Sequence, residues 1–175
     1  MVISLKMKDS VSSKRQIMKI VLAIDGSDFS KVAIDELAAL PLPAGTEVCI
    51  LNVSENPMSS VPGVLPFGGT LGNYYEEAIF DTRKMAEDLV NDASKSLRNN
   101  NNALSITTAV VNGLPKSAIL EKAEAFDADL IVVGSQGHGA FSRFLLGSVS
   151  QSLATHADCS VMIVRKRNSK EKNKQ

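Results

Sequence analysis

A chain of 175 residues, 44% hydrophobic and 22% charged, is long enough to bury the core of one globular domain and too ordinary to be fibrous, disordered or built on disulfides. Its apolar runs fall short of the ~18–20 residues that cross a bilayer, so no membrane partner is expected. The net charge of zero hides basic ends, with five Lys/Arg to one acid in 1–19 and six to one in 165–175, around a body (20–164) of eight basic and seventeen acidic residues; such a body repels phosphate backbones, so no nucleic-acid partner is expected.

Residues 1–15 hold no continuous apolar stretch, so no secretory leader is expected, and 1–17 read as a flexible extension ahead of a domain at 18–167. A short β-branched apolar run at 19–24 (KIVLAI) predicts a first strand, stopped by Asp25-Gly26-Ser27. Apolar positions 33, 37 and 40 predict a helix over 30–40, ended by Pro41. Residues 48–53 (VCILNV) predict a second strand. The Pro-, Gly- and Ser-rich stretch 54–73 reads as a long loop, and apolar residues at 75, 79, 86, 89, 90, 93 and 97 predict a helix over 74–97.

A third strand is expected at 105–111 (SITTAVV), whose alternation suits a sheet edge, then a helix opened by Pro115 and running to Phe126. Residues 130–133 (LIVV) and 161–164 (VMIV) predict the fourth and fifth strands, with a helix over 148–156 between them, and 168–175 read as a disordered polar tail. Alternating strands and helices with right-handed crossovers give an α/β fold, a doubly wound open parallel sheet. Such sheets bind ligands at the carboxyl ends of strands where the strand order reverses. Cys49 and Cys159 share no CxxC spacing and are not spaced with His138 and His156 for zinc, so both are expected reduced, in a cytoplasmic protein, with no metal site.

The stretch that carries chemistry runs from Gly134, GSQGHGAFSRFLLGSVSQSL, with the skeleton Gly134-x2-Gly137-x9-Gly147-Ser148. It follows a buried strand and leads into a helix. Glycines let backbone N–H groups come close to a phosphate, and the helix adds unpaired N–H groups and the positive end of its dipole. An anion can be held there without a lysine. The chain has neither the GxxxxGK[ST] loop nor GxGxxG.

These residues, together with KIVLAIDGSDFS at 19–30, VCILNV and ADLIVVGSQGHGAFSRFLLGSVSQSLATHADCSVMIVRKR at the end, resemble the universal stress protein family, in its ATP-binding branch, over 18–167. The resemblance implies a five-stranded sheet of order 3-2-1-4-5 with helices on both faces. It implies ATP or another adenine nucleotide as ligand, with Mg²⁺ carried mainly on phosphate oxygens and water. Asp25 would meet the adenine or ribose, with the backbone of Ala23 and Ile24 lining the same cleft. Val53 and Val133 would form the base pocket, and Gly134, Gly137, Gly147, Ser148 and Val149 would surround the ribose and phosphates. His138 and Arg143, in the loop, are candidates to offset phosphate charge. It also implies that the final strand, Val161, Met162, Ile163 and Val164, lies at the sheet edge and pairs with its copy in a homodimer.

A nucleotide-dependent regulatory or stress-response binding protein is the expected function. No base–nucleophile pair stands out in the motif, so no catalytic residue is assigned; a slow ATP hydrolase or nucleotide-transferring enzyme is the second reading, and an interaction module without ligand the third. On their residues alone, Asp25 is also readable as a turn or helix-cap residue and Val53 as plain core.

Overall fold

The computed structural model describes residues 2–4, 17–54, 70–137 and 146–166. Its elements in chain order are β1 (Val2–Ser4), β2 (Lys19–Ala23), α1 (Asp28–Ala39), β3 (Glu47–Ser54), α2 (Thr70–Asn100), β4 (Ser105–Asn112), α3 (Pro115–Ala125), β5 (Leu130–Gly134), α4 (Ser148–His156) and β6 (Ser160–Val164). They form one sheet of order β1-β6-β5-β2-β3-β4. The five strands β2 to β6 pair in parallel, and numbered among themselves they follow the expected order 3-2-1-4-5.

The continuous apolar runs exist because both faces of the sheet are covered. Along β2, Ile20 and Leu22 enter a cluster with Ala33 and Leu37 of α1 and Val90, Ala93 and Leu97 of α2. Val21 and Ala23 point the other way, into a cluster with Ile119 and Ala123 of α3 and Leu153 of α4. The strand period of two thus sorts neighbouring residues into separate cores. β4 keeps several residues exposed, as its alternation predicts for the edge it forms.

Local signals place the helix ends. Ser27 caps α1, its Oγ accepting from the Ser30 N–H. Leu40, which precedes Pro41, is extended, because the proline ring disfavours a helical conformation before it. Pro115 opens α3. α2 begins at Thr70, four residues before the expected start, and among its described side chains the first buried one is Ala86. Phe80 and Met85, nearer its start, are exposed. Residues 55–69, within the expected long loop, and the whole of the expected polar tail, 168–175, lie outside the described residues.

The N-terminus corrects one expectation. Within the stretch read as a flexible extension, Val2–Ser4 forms β1, antiparallel to β6, with Val2 opposite Ile163, Ile3 opposite Met162 and Ser4 opposite Val161. β6 is therefore not the sheet edge in this structure; the chain's own first residues take that place. A three-residue strand carries too little pattern to stand out in a sequence, and its partner lies some 160 positions away.

Candidate functional site

The site is built where β2 and β5 end side by side, with Ala23 opposite Val133. This is where the strand order reverses: the chain leaves β2 toward β3 on one side, and β5 and β6 lie on the other. A cleft outside the carboxyl ends of the strands follows from that divergence.

Beyond β2 the backbone stays tied to the sheet for one more residue, the Ile24 N–H donating to the Leu51 carbonyl at 2.9 Å. The chain then turns through Gly26, whose φ of 85° is the left-handed conformation glycine adopts without strain. Asp25 shapes this turn. Its Oδ1 accepts from the Ser27 N–H at 3.0 Å and from Ser30 Oγ, and its own N–H donates to Ser30 Oγ at 2.9 Å. These contacts orient the carboxylate: an added Cβ on Gly137 would lie 2.5 Å from Asp25 Oδ2. Asp25 is exposed at the mouth, whereas Ser27 and Ser30 beneath it are buried.

β5 delivers the second wall. A Cβ on Gly134 would come within 2.9 Å of the Phe29 carbonyl carbon, so the absent side chain lets the first turn of α1 rest on the end of β5. Ser135 continues the ladder, its N–H donating to the Val164 carbonyl at 2.7 Å. The Ser135 carbonyl accepts from the Gly147 N–H at 2.8 Å and from Ser150 Oγ at 3.1 Å. This pair of bonds closes the neck of the glycine loop and fixes the start of α4. Gly147 is the N-cap of α4 and supplies no side-chain cap. The first-turn N–H groups at Ser148 and Val149 thus form the positive end of the helix dipole beside the loop.

At the rim, Lys166 Nζ lies 3.0 Å from Asp28 Oδ2, joining the chain after β6 to the first turn of α1. The hydrogen bond and charge of Lys166, and then those of Lys31, hold the Asp28 carboxyl below its ordinary pKa.

The universal stress protein family profile matches residues 16–165. The chain belongs to the universal stress protein family. This universal stress protein is 31% identical over 147 residues to a protein of Staphylococcus aureus (strain USA300) named for the same family, covering 83% of this chain and 82% of that one. UspA from Lactobacillus plantarum matches its fold with a TM-score of 0.70 at 22% identity, over 87% of this chain and 100% of that chain. A universal stress protein crystallised in complex with cAMP matches with a TM-score of 0.56 at 26% identity, over 85% and 97% of the two chains.

In this universal stress protein the predicted site residues do not all come together. Asp25, Gly134, Gly137, Gly147 and the α4 start converge at the ends of β2 and β5. Ala23 and Val133 belong to the apolar cluster on the α3/α4 face, and Val53 and Val149 pack against it. Ile24 turns its side chain into the opposite cluster, and its carbonyl accepts from Asn52 Nδ2 at 2.9 Å. His138 and Arg143 lie outside the described residues. His156 is at the far end of α4, its Nδ1 2.9 Å from the Ser152 carbonyl, away from the glycine neck. Cys49 is buried in the core and Cys159 is half-buried; neither is part of a disulfide.

Four polar residues that the sequence reading did not single out hold the site together: Ser30, Asn52, Ser135 and Ser150, all buried. Each interrupts an apolar or helical pattern with a polar side chain or sits beside a glycine. That signal marks a buried polar contact without naming the partner. Among the described residues every buried side-chain N or O atom has a hydrogen-bond partner.

Proposed function

We propose that this universal stress protein binds an adenine nucleotide, ATP with Mg²⁺, in the cleft at the ends of β2 and β5, and acts as a nucleotide-dependent regulatory or stress-response protein. The observation that carries the reading is the meeting of three features at one switch point: the Asp25 carboxylate turned toward Gly137, a glycine loop with a closed neck, and the α4 N-terminus without a side-chain cap. A carboxylate suits ribose hydroxyls as an acceptor. Bare backbone and a helix N-terminus suit phosphates. The relative crystallised with cAMP supports an adenine nucleotide as the class of ligand.

Ala23, Val53 and Val133 supply apolar surface for the base, Asp25 orients the ribose, and Gly137, Gly147, Ser148 and Val149 cradle the phosphates. His138 and Arg143 offset phosphate charge from the loop. Among the described residues no group of three or more His, Cys, Asp or Glu side chains is placed to hold a metal ion, so Mg²⁺ rides on phosphate oxygens and water. Titration calorimetry with ATP, ADP, AMP and cAMP, joined to mass analysis of nucleotide that copurifies, tests the proposal. Saturable ATP binding that is lost in Gly137→Val supports it. Failure of all four nucleotides to bind at millimolar concentration sinks it.

A further inference from the structure

α2 is 31 residues long, and its buried stripe of Ala86, Val90, Ala93 and Leu97 belongs to its second half. Before Ala86, every described side chain from Glu77 to Met85 is exposed, over about two and a half turns of helix. Phe80 is 67% exposed there and Ile79 beside it 39%. α2 leaves the carboxyl end of β3 and returns to the start of β4, which runs parallel to β3. Its first half therefore stands at the carboxyl end of the sheet.

Glu77, Phe80 and Lys84 follow one another at i, i+3 and i+7, so they share one side of the helix. That side lies about a quarter turn from the stripe of Val90 and Leu97, and it can meet a neighbour while the stripe stays on the sheet. The trio is also self-complementary. When two identical helices pair antiparallel across a two-fold axis, each flank faces the same flank of its copy. With the axis beside Phe80, the two Phe80 rings pack together and Glu77 of each copy lies opposite Lys84 of the other. A parallel pairing in register would set Glu77 against Glu77 and Lys84 against Lys84, which like charges oppose.

We propose that the exposed half of α2 is a self-docking surface whose occupant is the same half of α2 in a second copy of this chain, antiparallel and centred on Phe80. The contact is separate from the outer side of β6. α2 packs with Val48 and Ile50 of β3 and Ile106 of β4, whereas β6 lies beyond β5 and β2 across the sheet. It is independent of nucleotide binding. A pair of helix segments this short buries less than the ~800 Å² per partner of a stable interface, so the contact is weak and suits capture by cross-linking.

The test uses the full-length chain with Cys159→Ser, since Cys49 is buried. Phe80→Cys and Met85→Cys are compared in a short bis-maleimide reagent. Met85 is as exposed as Phe80, at 72%, but points about 140° away round the helix. Phe80→Cys should form covalent dimer at least about tenfold faster than Met85→Cys, a difference that mere collision would not give. In the Phe80→Cys chain, Glu77→Lys or Lys84→Glu alone should slow the reaction by about threefold or more, and the two together should restore it, because the swap re-forms both charge pairs. All positions changed on α2 are exposed, and unchanged melting curves would show that the variants fold. Equal rates for Phe80→Cys and Met85→Cys would overturn the proposal. So would single charge variants that react like the parent, or a double swap that stays as slow as the singles.

Discussion

Ser30 holds Asp25 from two directions: its Oγ accepts the Asp25 backbone N–H at 2.9 Å and donates its own hydrogen to Asp25 Oδ1. One hydroxyl on the first turn of α1 thus sets both the backbone and the carboxylate of the residue at the mouth of the cleft. Replacing it with alanine leaves both groups without this partner. Ser30→Ala should cost about 1–3 kcal/mol of stability and weaken ATP binding by about tenfold or more, since a tenfold loss corresponds to only about 1.4 kcal/mol. Urea denaturation and calorimetric titration of one preparation give both numbers. Unchanged affinity would show that Asp25 does not depend on this support.

Gly134 and Gly137 should separate packing from binding. A Cβ at Gly134 meets the backbone and Cβ of Phe29 at 2.9–3.0 Å, atoms that cannot swing aside, whereas a Cβ at Gly137 meets the end of the Asp25 side chain at 2.5 Å. Gly134→Ala should therefore lose about 1–3 kcal/mol through overpacking. Gly137→Ala should keep most of its stability and lose nucleotide affinity as Asp25 is displaced. Gly147 is a less clean probe, because a Cβ there lies 3.2 Å from the Gln136 Cα and presses on the loop neck. The reverse order of stabilities in denaturant melts would refute the assignment.

Asn52 interrupts an apolar strand to donate from Nδ2 to the Ile24 carbonyl at 2.9 Å. A carboxylate of the same shape cannot donate. Asn52→Asp should leave that carbonyl facing a negative charge and destabilise the protein by about 1–3 kcal/mol at neutral pH. A large part of the loss should return as the new carboxyl is protonated in acid. A pH series of urea midpoints on the variant checks this, with the parent as reference.

Asp28 should contribute a pH dependence of known sign. Lys166 and Lys31 hold its folded-state pKa below the ordinary value. Its stabilisation is therefore present above the unfolded carboxylate pKa and is lost as pH falls through the lower, folded one. Asp28→Asn should flatten the fall of melting temperature in that acid window. It should change little at neutral pH and high salt, because both ends of the Lys166 pair are exposed. An unaltered acid slope in the variant would remove Asp28 from the titration.

The central strands and the glycine skeleton were legible because they are local patterns. Runs such as KIVLAI and LIVV must be apolar on successive residues when both faces are covered, and Pro115 and Pro41 mark helix limits through their own ring geometry. The helix over 148–156 was placed to the residue, since Gly147 and the apolar run after it bracket it. What the sequence by itself determined was thus the set of parallel strands, the helices between them and the spacing of the glycines between β5 and α4.

Only the tertiary structure decided who meets whom. That Ser30 grips Asp25, that Asn52 serves Ile24, and that Ser150 and Gly147 share the Ser135 carbonyl depends on strand order and on the angle at which each helix returns to the sheet. The same holds for Ile24, whose side chain belongs to the opposite core from its neighbour Ala23, and for the edge of β6, taken by residues at the other end of the chain. A hydrogen bond or a strand pairing between distant positions leaves no period in the sequence. It comes into being only when the fold brings its two halves together.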